Sequence, residues 1–299
     1  MSGKSRLTRA ALLDTEMKTG RFLLFQQGKS MSEQKSKILA GIDEVINSHL
    51  FADGRFPGFR YLQKRSCNEL SRSPPKSFDG KALVNALFER IQENLAMRPN
   101  GRAPSSQNWH LRSTNVHHLI GPAIHNESAE VKLERAIVQK WPTNWTYQMP
   151  VASGLFDGYT DKRRAVDLVF DHEDKDGHYD LVELKIKSDT PLYAAMEILG
   201  YGLVYLASRT DLAGNLNYKA SDLPVLKAKR ITLCVLAPEN YYETSNLKWL
   251  EVAINAGLTR FATPDLSINF QFQKFGNQLG NHLPIKVLPE ALIREPAWG

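Results

Sequence analysis

Three side chains between residues 167 and 185 have the types and spacing of a hydrolytic centre. Asp167 lies in Arg163-Arg164-Ala165-Val166-Asp167-Leu168-Val169-Phe170; Glu183 and Lys185 lie in Leu181-Val182-Glu183-Leu184-Lys185-Ile186-Lys187. Both stretches alternate with period two, which predicts strands over Arg164–His172 and His178–Ser188. With His172 and His178 closing a hairpin over Glu173–Gly177, Asp167 falls directly opposite Glu183. Side chains across an antiparallel pair share one face, with Cβ atoms ~5 Å apart. Lys185, two residues beyond Glu183, projects from that same face. A slip of one residue would disperse the group.

Carboxylates in the middle of apolar strands are costly unless they are paired or coordinate a cation. Two adjacent carboxylates repel, and a divalent metal is the simplest remedy. A hard cation such as Mg²⁺ takes a few carboxylate oxygens plus water and substrate phosphate. Lys185, its amine expected to be depressed by burial and by the cation, then orients or helps to deprotonate the attacking water. Together these parts suit in-line attack on a phosphodiester. The rival reading is a solvent-facing cross-strand salt bridge, worth little.

The elements that must hold these residues follow from periodicity. Glu127 to Trp141 predicts a helix ended by Pro142, and Trp145 to Val151 a short strand. Pro191 opens an apolar helix through about Ala207. A largely apolar strand over Arg230–Ala237, a helix from about Tyr241 to Ala256 and a strand from about Leu266 to Phe275 complete the order. This is a mixed α/β layout with an antiparallel opening and a buried crossover strand.

The first hundred residues read as helical, with Ile38, Leu39, Ile42, Val45 and Ile46 on one stripe. A second stripe, Leu83, Val84, Leu87, Phe88, Ile91 and Leu95, starts from Asp79 as N-cap and stops at Pro99-Asn100-Gly101. Between them Phe51 to Ser77 reads as irregular and carries Phe56, Phe59, Arg60, Tyr61, Lys64 and Arg65, an interleaving that suits stacking on bases and pairing with phosphates. The rival reading packs these rings on the nearest core. Arg98 to Gln107 is a linker, dividing a basic helical module, 1–105, from a domain over 106–299.

Charge follows the same division. The chain of 299 residues has a net charge of +6, yet residues 1–105 hold 18 Lys/Arg against 10 Asp/Glu and the remainder 20 against 22. A basic part joined to a slightly acidic one points to an anionic polymer as partner, with acids concentrated at a metal site. Hydrophobic residues at 42% exclude a disordered chain, and no apolar run approaches the ~18 residues of a membrane span. Two cysteines, Cys67 and Cys234, are too few for a disulfide framework, and no apolar h-region follows the basic N-terminus, so a cytoplasmic protein without a membrane segment is expected.

Three tempting motifs fail. Gly28-Lys29-Ser30 lacks the glycine a phosphate loop needs, since Leu23 occupies that position. Asp174, Asp176, Gly177 and Glu183 match part of a calcium loop, but His172 stands at the first ligand position and the flanks have strand periodicity. His110, His117, His118 and His125 have no compact zinc spacing.

Asp167 followed by Glu183-Leu184-Lys185 on the next strand resembles the motif of the PD-(D/E)XK nuclease superfamily. The resemblance covers about 110 residues, roughly Glu127 to Ala237, and implies a restriction-endonuclease-like α/β fold: a helix, three antiparallel strands, a helix and a further strand, behind a mainly helical N-terminal module. It departs from the family's pattern in having Val166 rather than proline before Asp167.

The resemblance implies Asp167 and Glu183 as ligands of Mg²⁺ or Mn²⁺, Lys185 positioning the attacking water, and Glu134 assisting from the preceding helix, with Glu130 one turn earlier as runner-up. Some branches carry Gln and, four positions later, Tyr on the following helix; here Glu197 and Tyr201 stand there, with Tyr193 one turn earlier. The implied activity is hydrolysis of DNA, as an endonuclease in restriction or phage defence, with Arg163 and Arg164 contacting phosphate. A homodimer and a partner protein bound through the N-terminal module are expected as well. The alternatives are a repair or recombination nuclease, a nucleic-acid-binding protein that keeps the fold without turnover, and a calcium-responsive interaction protein.

Overall fold

Helical stripes and buried apolar strands account for most elements of the computed structural model, which describes residues 38–97, 108–111, 128–152, 164–173, 175–211, 216, 218, 223–276 and 292–298. Helices α1 (Ile42–Leu50), α2 (Lys64–Arg72) and α3 (Gly80–Ala96) come first, then α4 (Ala129–Lys140). Strands β1 (Trp145–Pro150), β2 (Ala165–Asp171) and β3 (His178–Leu184) follow, and α5 (Pro191–Arg209) leads to β4 (Arg230–Pro238). A single turn α6 (Glu239–Tyr242), α7 (Lys248–Leu258), β5 (Ser267–Phe275) and a two-residue β6 (Glu295–Pro296) complete the order.

The strands form one six-stranded sheet in chain order, β1 to β6. β1, β2 and β3 run antiparallel to their neighbours, β3, β4 and β5 are parallel, and β6 is antiparallel on β5. The protein is therefore mixed α/β. The β2–β3 register pairs Leu168 with Val182 and Asp171 with Tyr179, the alignment expected from the hairpin. His172 N–H donates to His178 C=O at 3.1 Å and closes the loop.

Both faces of the sheet are covered. On one, Leu133, Ala136 and Ile137 of α4 pack with Leu168, Val182, Leu184, Cys234 and Leu236. On the other, α5 lies on Leu181, Leu233 and Val235 in a larger core. That is why every residue of β3, and every residue of β4 after Arg230, is buried, although only β4 reads as a largely apolar run. Side-chain caps start three helices: Asp79 accepts from Ala82 N–H at 3.0 Å, Ser128 from Val131 N–H at 3.2 Å and Thr190 from Tyr193 N–H at 3.2 Å. Each cap contributes about 1 kcal/mol. Among the described residues no helix is long and apolar enough to cross a membrane.

Several elements differ from the sequence expectation. The stretch 51–77 is not wholly irregular, because α2 lies within it, fixed by buried Cys67 and Leu70. β3 ends at Leu184 rather than Ser188; Asp189 takes φ 55° as the chain turns toward α5. The helix expected over 241–256 is split into α6 and α7, with Tyr242 Oη donating to Val235 C=O at 2.9 Å and anchoring the break to the sheet. β6 was not expected. The larger core also runs without interruption from Ile46, Leu83 and Leu87 of the N-terminal helices to Leu199 and Leu250, so the described part of 1–105 shares its core with the sheet domain. The expected linker, 98–107, lies outside the described residues.

The crossing of α3 and α7 requires glycine. A Cβ on Gly80 would stand 2.0 Å from Ala253 C=O, and one on Gly257 would stand 2.6 Å from Gly80 C=O, both against backbone that cannot yield. Gly80→Ala is expected to destabilise the protein by about 1–3 kcal/mol through overpacking. Gly276→Ala, with nothing within 4 Å of its Cβ, should change little. Urea unfolding of the two variants checks this; equal midpoints would refute the close crossing.

Candidate active site

The sequence-predicted residues meet at one end of the sheet, where β2 begins and β3 ends, between α4 and α5. An open cleft of about 290 Å³ is lined there by Glu134 and Glu130 of α4, Gln148 of β1, Asp167 of β2, Glu183 and Lys185 at the end of β3, and Glu197 and Tyr201 of α5. Glu134 and Glu183 are 2% and 3% exposed, and Lys185 8%, so water screens their interactions weakly. Arg164 is on the rim; Arg163 and Asp174 lie outside the described residues.

Local backbone makes the convergence. The β2–β3 ladder stops at Leu168 and Val182, and Leu184 N–H donates to Asp167 Oδ2 at 2.9 Å. On the other side, the β1–β2 register skips Gln148 and Asp167, between the pairs Tyr147–Leu168 and Met149–Val166, and Gln148 takes φ 50°, a left-handed conformation that non-glycine residues seldom adopt. Its Nε2 donates to Glu134 Oε2 at 2.7 Å, joining α4 to the cleft. Glu130, the runner-up to Glu134, accepts from Ser188 Oγ at 2.6 Å and from Ile186 N–H at 3.3 Å, and so secures the chain that leaves β3.

Lys185 is the cation at the centre. Its Nζ is 2.7 Å from Glu183 Oε1, 3.4 Å from Glu197 Oε2 and 3.7 Å from Asp189 Oδ2. Tyr201 Oη donates to Glu197 Oε1 at 3.1 Å. Burial works against the Lys185 charge, but Glu183, Glu197 and Asp167 outweigh it and hold the ammonium above its usual value. The expected depression is thus reversed in the cation-free protein. The acids shift upward too: burial, then the Asp167 charge, pushes Glu134 up to about 8. Burial pushes Asp167 up to about 6 although Leu184 N–H and Lys185 oppose it. Glu183 is raised well above the carboxylate range by burial, Asp167 and Glu197. The Asp167 charge is among the causes that raise Glu183, so the two carboxyls disfavour each other's ionised form.

Glu197 and Tyr201, singled out from the sequence through the resemblance, sit one helical turn apart in a mostly buried helix and both line the cleft. Gln148 stands outside the residues singled out from the sequence. Gln148 has no comparable signal, because its role depends on the β1–β2 register and on one strained backbone angle.

A tighter triplet of metal-ligating atoms lies elsewhere: atoms of His172, His178 and Asp180 fall within 4.8 Å of one another. The imidazole planes are within 5° of parallel with centroids 3.8 Å apart. A metal ligated by imidazole lies in the ring plane, and parallel planes do not meet, so these rings cannot share an ion as they stand. Asp180 is also bound by Arg294, with Nη1 2.7 Å from Oδ2. This group braces the hairpin end against the C-terminal segment.

Comparison of the chain with family models, with curated proteins and with solved structures found no match.

The raised carboxyls have a stability consequence. A group whose folded value lies above its unfolded one favours the fold at low pH and loses that contribution as pH rises through the folded value. Glu134→Gln, which keeps an oxygen for Gln148, is expected to be a few kcal/mol more stable than wild type above pH 8. The difference should close below pH 5. Denaturant unfolding across that range checks it, and a gap that widens toward acid would contradict the assignment.

Proposed function

We propose that this protein is a divalent-metal-dependent nuclease of the PD-(D/E)XK kind that hydrolyses DNA phosphodiester bonds, acting as an endonuclease in restriction or phage defence. The observation that carries the reading is the convergence of Asp167, Glu183 and Lys185 in one buried cleft. The order of elements supports it: α4, three antiparallel strands, α5, then β4 parallel to β3. The basic N-terminal part supplies charge suited to a polyanion.

The donor set fits a hard divalent cation. Asp167 and Glu183 line one cleft with carboxyls that burial raises, and carboxylate oxygens are what Mg²⁺ and Mn²⁺ prefer. These two residues would hold the ion, which supplies charge neutralisation and Lewis-acid polarisation of the phosphate when bound.

The remaining work belongs to the side chains. Lys185, kept cationic by Glu183 and Glu197, is a hydrogen-bond donor at neutral pH and orients the attacking water. Glu134, its Oε2 held by Gln148 and its carboxyl pushed up to about 8, accepts in its ionised form the proton that water loses. Water adds to phosphorus, the opposite P–O ester bond breaks, and the departing oxygen takes a proton from solvent. Arg164 on the rim faces the phosphate backbone.

Closed circular plasmid and linear duplex incubated with Mg²⁺, Mn²⁺ or EDTA test the reading. Cleavage is expected with either metal and none with EDTA. Asp167→Ala and Lys185→Ala should each lower the rate by on the order of 10²–10³-fold or more while DNA affinity stays within a few-fold. Wild type that binds DNA yet cuts nothing with any divalent metal would overturn catalysis in favour of a binding protein.

A further inference from the structure

A second pocket, of about 250 Å³, adjoins the carboxylate cleft and shares Arg164 and Glu197 with it. The N-terminal segment contributes apolar Leu39, Ile42 and Leu62, the mostly buried ring of Tyr61, and the acid Asp43 to its lining. The segment is firmly seated. Leu39 and Ile42 lie against Gly200 of α5, where a Cβ would be 3.7 Å from both side chains. Tyr61 N–H donates to Asn47 Oδ1 at 2.9 Å, and Tyr61 Oη donates to Asp43 Oδ1 at 2.6 Å.

Tyr193 of α5 joins the two compartments. Its ring is parallel to Tyr61 within 9°, with centroids 6.1 Å apart, and Lys185 Nζ stands 5.7 Å from the same ring. Leu62 is 48% exposed, a large apolar side chain left in solvent at the pocket mouth. Arg60 and Lys64, on either side of this pair, are exposed cations. Aromatic and apolar surface flanked by cations is what an unpaired base and its phosphates need. The volume is below the ~300 Å³ at which pockets begin to take drug-sized molecules, enough for one planar ring system. A base inside a duplex stays stacked on its neighbours and cannot enter a side pocket unless it is extruded.

We infer that this pocket seats one unpaired nucleobase of the DNA strand whose phosphate enters the carboxylate cleft, so that the preferred substrate has single-stranded character beside the cut. The inference rests on the nuclease reading and makes it more specific: the N-terminal segment selects the substrate and the sheet end cuts it. Tyr61 and Leu62 are specificity residues that do not touch the reacting atoms.

The test compares a perfect duplex with the same duplex interrupted by a short unpaired stretch containing 2-aminopurine. Wild type with Mn²⁺ is expected to cut the interrupted substrate about tenfold more efficiently, and the 2-aminopurine fluorescence should be quenched on binding in EDTA. Leu62→Glu, at an exposed position that folding does not need, should raise KM on that substrate about tenfold with little change in kcat. Tyr61→Phe, which keeps the ring, should behave as wild type, whereas Tyr61→Ala should lose the quenching. Equal cutting of both substrates by wild type, or unchanged KM and quenching in Leu62→Glu, overturns the pocket assignment and leaves the nuclease reading intact. If wild type cuts neither substrate the nuclease reading fails. The pocket is then judged by anisotropy of the single-stranded oligonucleotide in EDTA, where equal affinity of wild type and Leu62→Glu overturns it.

Discussion

Mutual repulsion among buried carboxylates is the constraint around which this structure is arranged. Glu134, Asp167, Glu183 and Glu197 open on one cleft, and Lys185 is the ammonium placed among them. With Glu130 at the same cleft, the cations Lys185 and Arg164 do not balance five acids, so protons or a cation must supply the rest. A well-packed apolar end to the sheet would be more stable. The fold maintains the opposite, with Gln148 held in a left-handed conformation and the β2–β3 ladder cut short beside these acids.

The scaffold holds the strain by being rigid around it. α4 and α5 clamp opposite faces of the sheet, and each carries acids into the cleft from a capped start. Glu130 ties the chain leaving β3 to α4 through Ser188 and Ile186, so Lys185 departs from the strand along a fixed path. The N-terminal helices add a second level of support. They share the core behind α5 through Leu83, Leu87 and Ile91, and the close crossing of α3 with α7 at Gly80 and Gly257 fixes their placement. The residues they place beside the cleft are therefore continuous with the layer that carries Glu197 and Tyr201.

Much of this was legible in residue order. The hairpin register followed from two histidines flanking a five-residue loop, and the pairs from Leu168–Val182 to Asp171–Tyr179 keep it, although the ladder stops one step short of the expected Asp167–Glu183 pair. Pro191 announced α5, and Asp79 announced α3. What stayed hidden depended on tertiary context. In α2, Lys-Arg-Ser-Cys-Asn-Glu-Leu-Ser-Arg shows only two apolar residues three apart, too little periodicity to reveal a helix. Lys185 and Lys187 continue the strand alternation past the point where β3 ends, since nothing in the pattern marks the handover to Glu130. The sign of the Lys185 shift was hidden for the same reason: desolvation is readable from an apolar neighbourhood, but Glu197 reaches the ammonium only through the packing of α5 on the sheet.

The central claim is that Asp167 and Glu183 form a seat for a divalent cation. Calorimetric titration of Mn²⁺ alone into the metal-free protein, followed by thermal unfolding of the loaded sample, tests it most directly. The account predicts saturable binding that raises the unfolding temperature of wild type, and loss of both effects in Asp167→Asn and in Glu183→Gln. No stabilisation of wild type at millimolar Mn²⁺, or equal binding by the two variants, would contradict it.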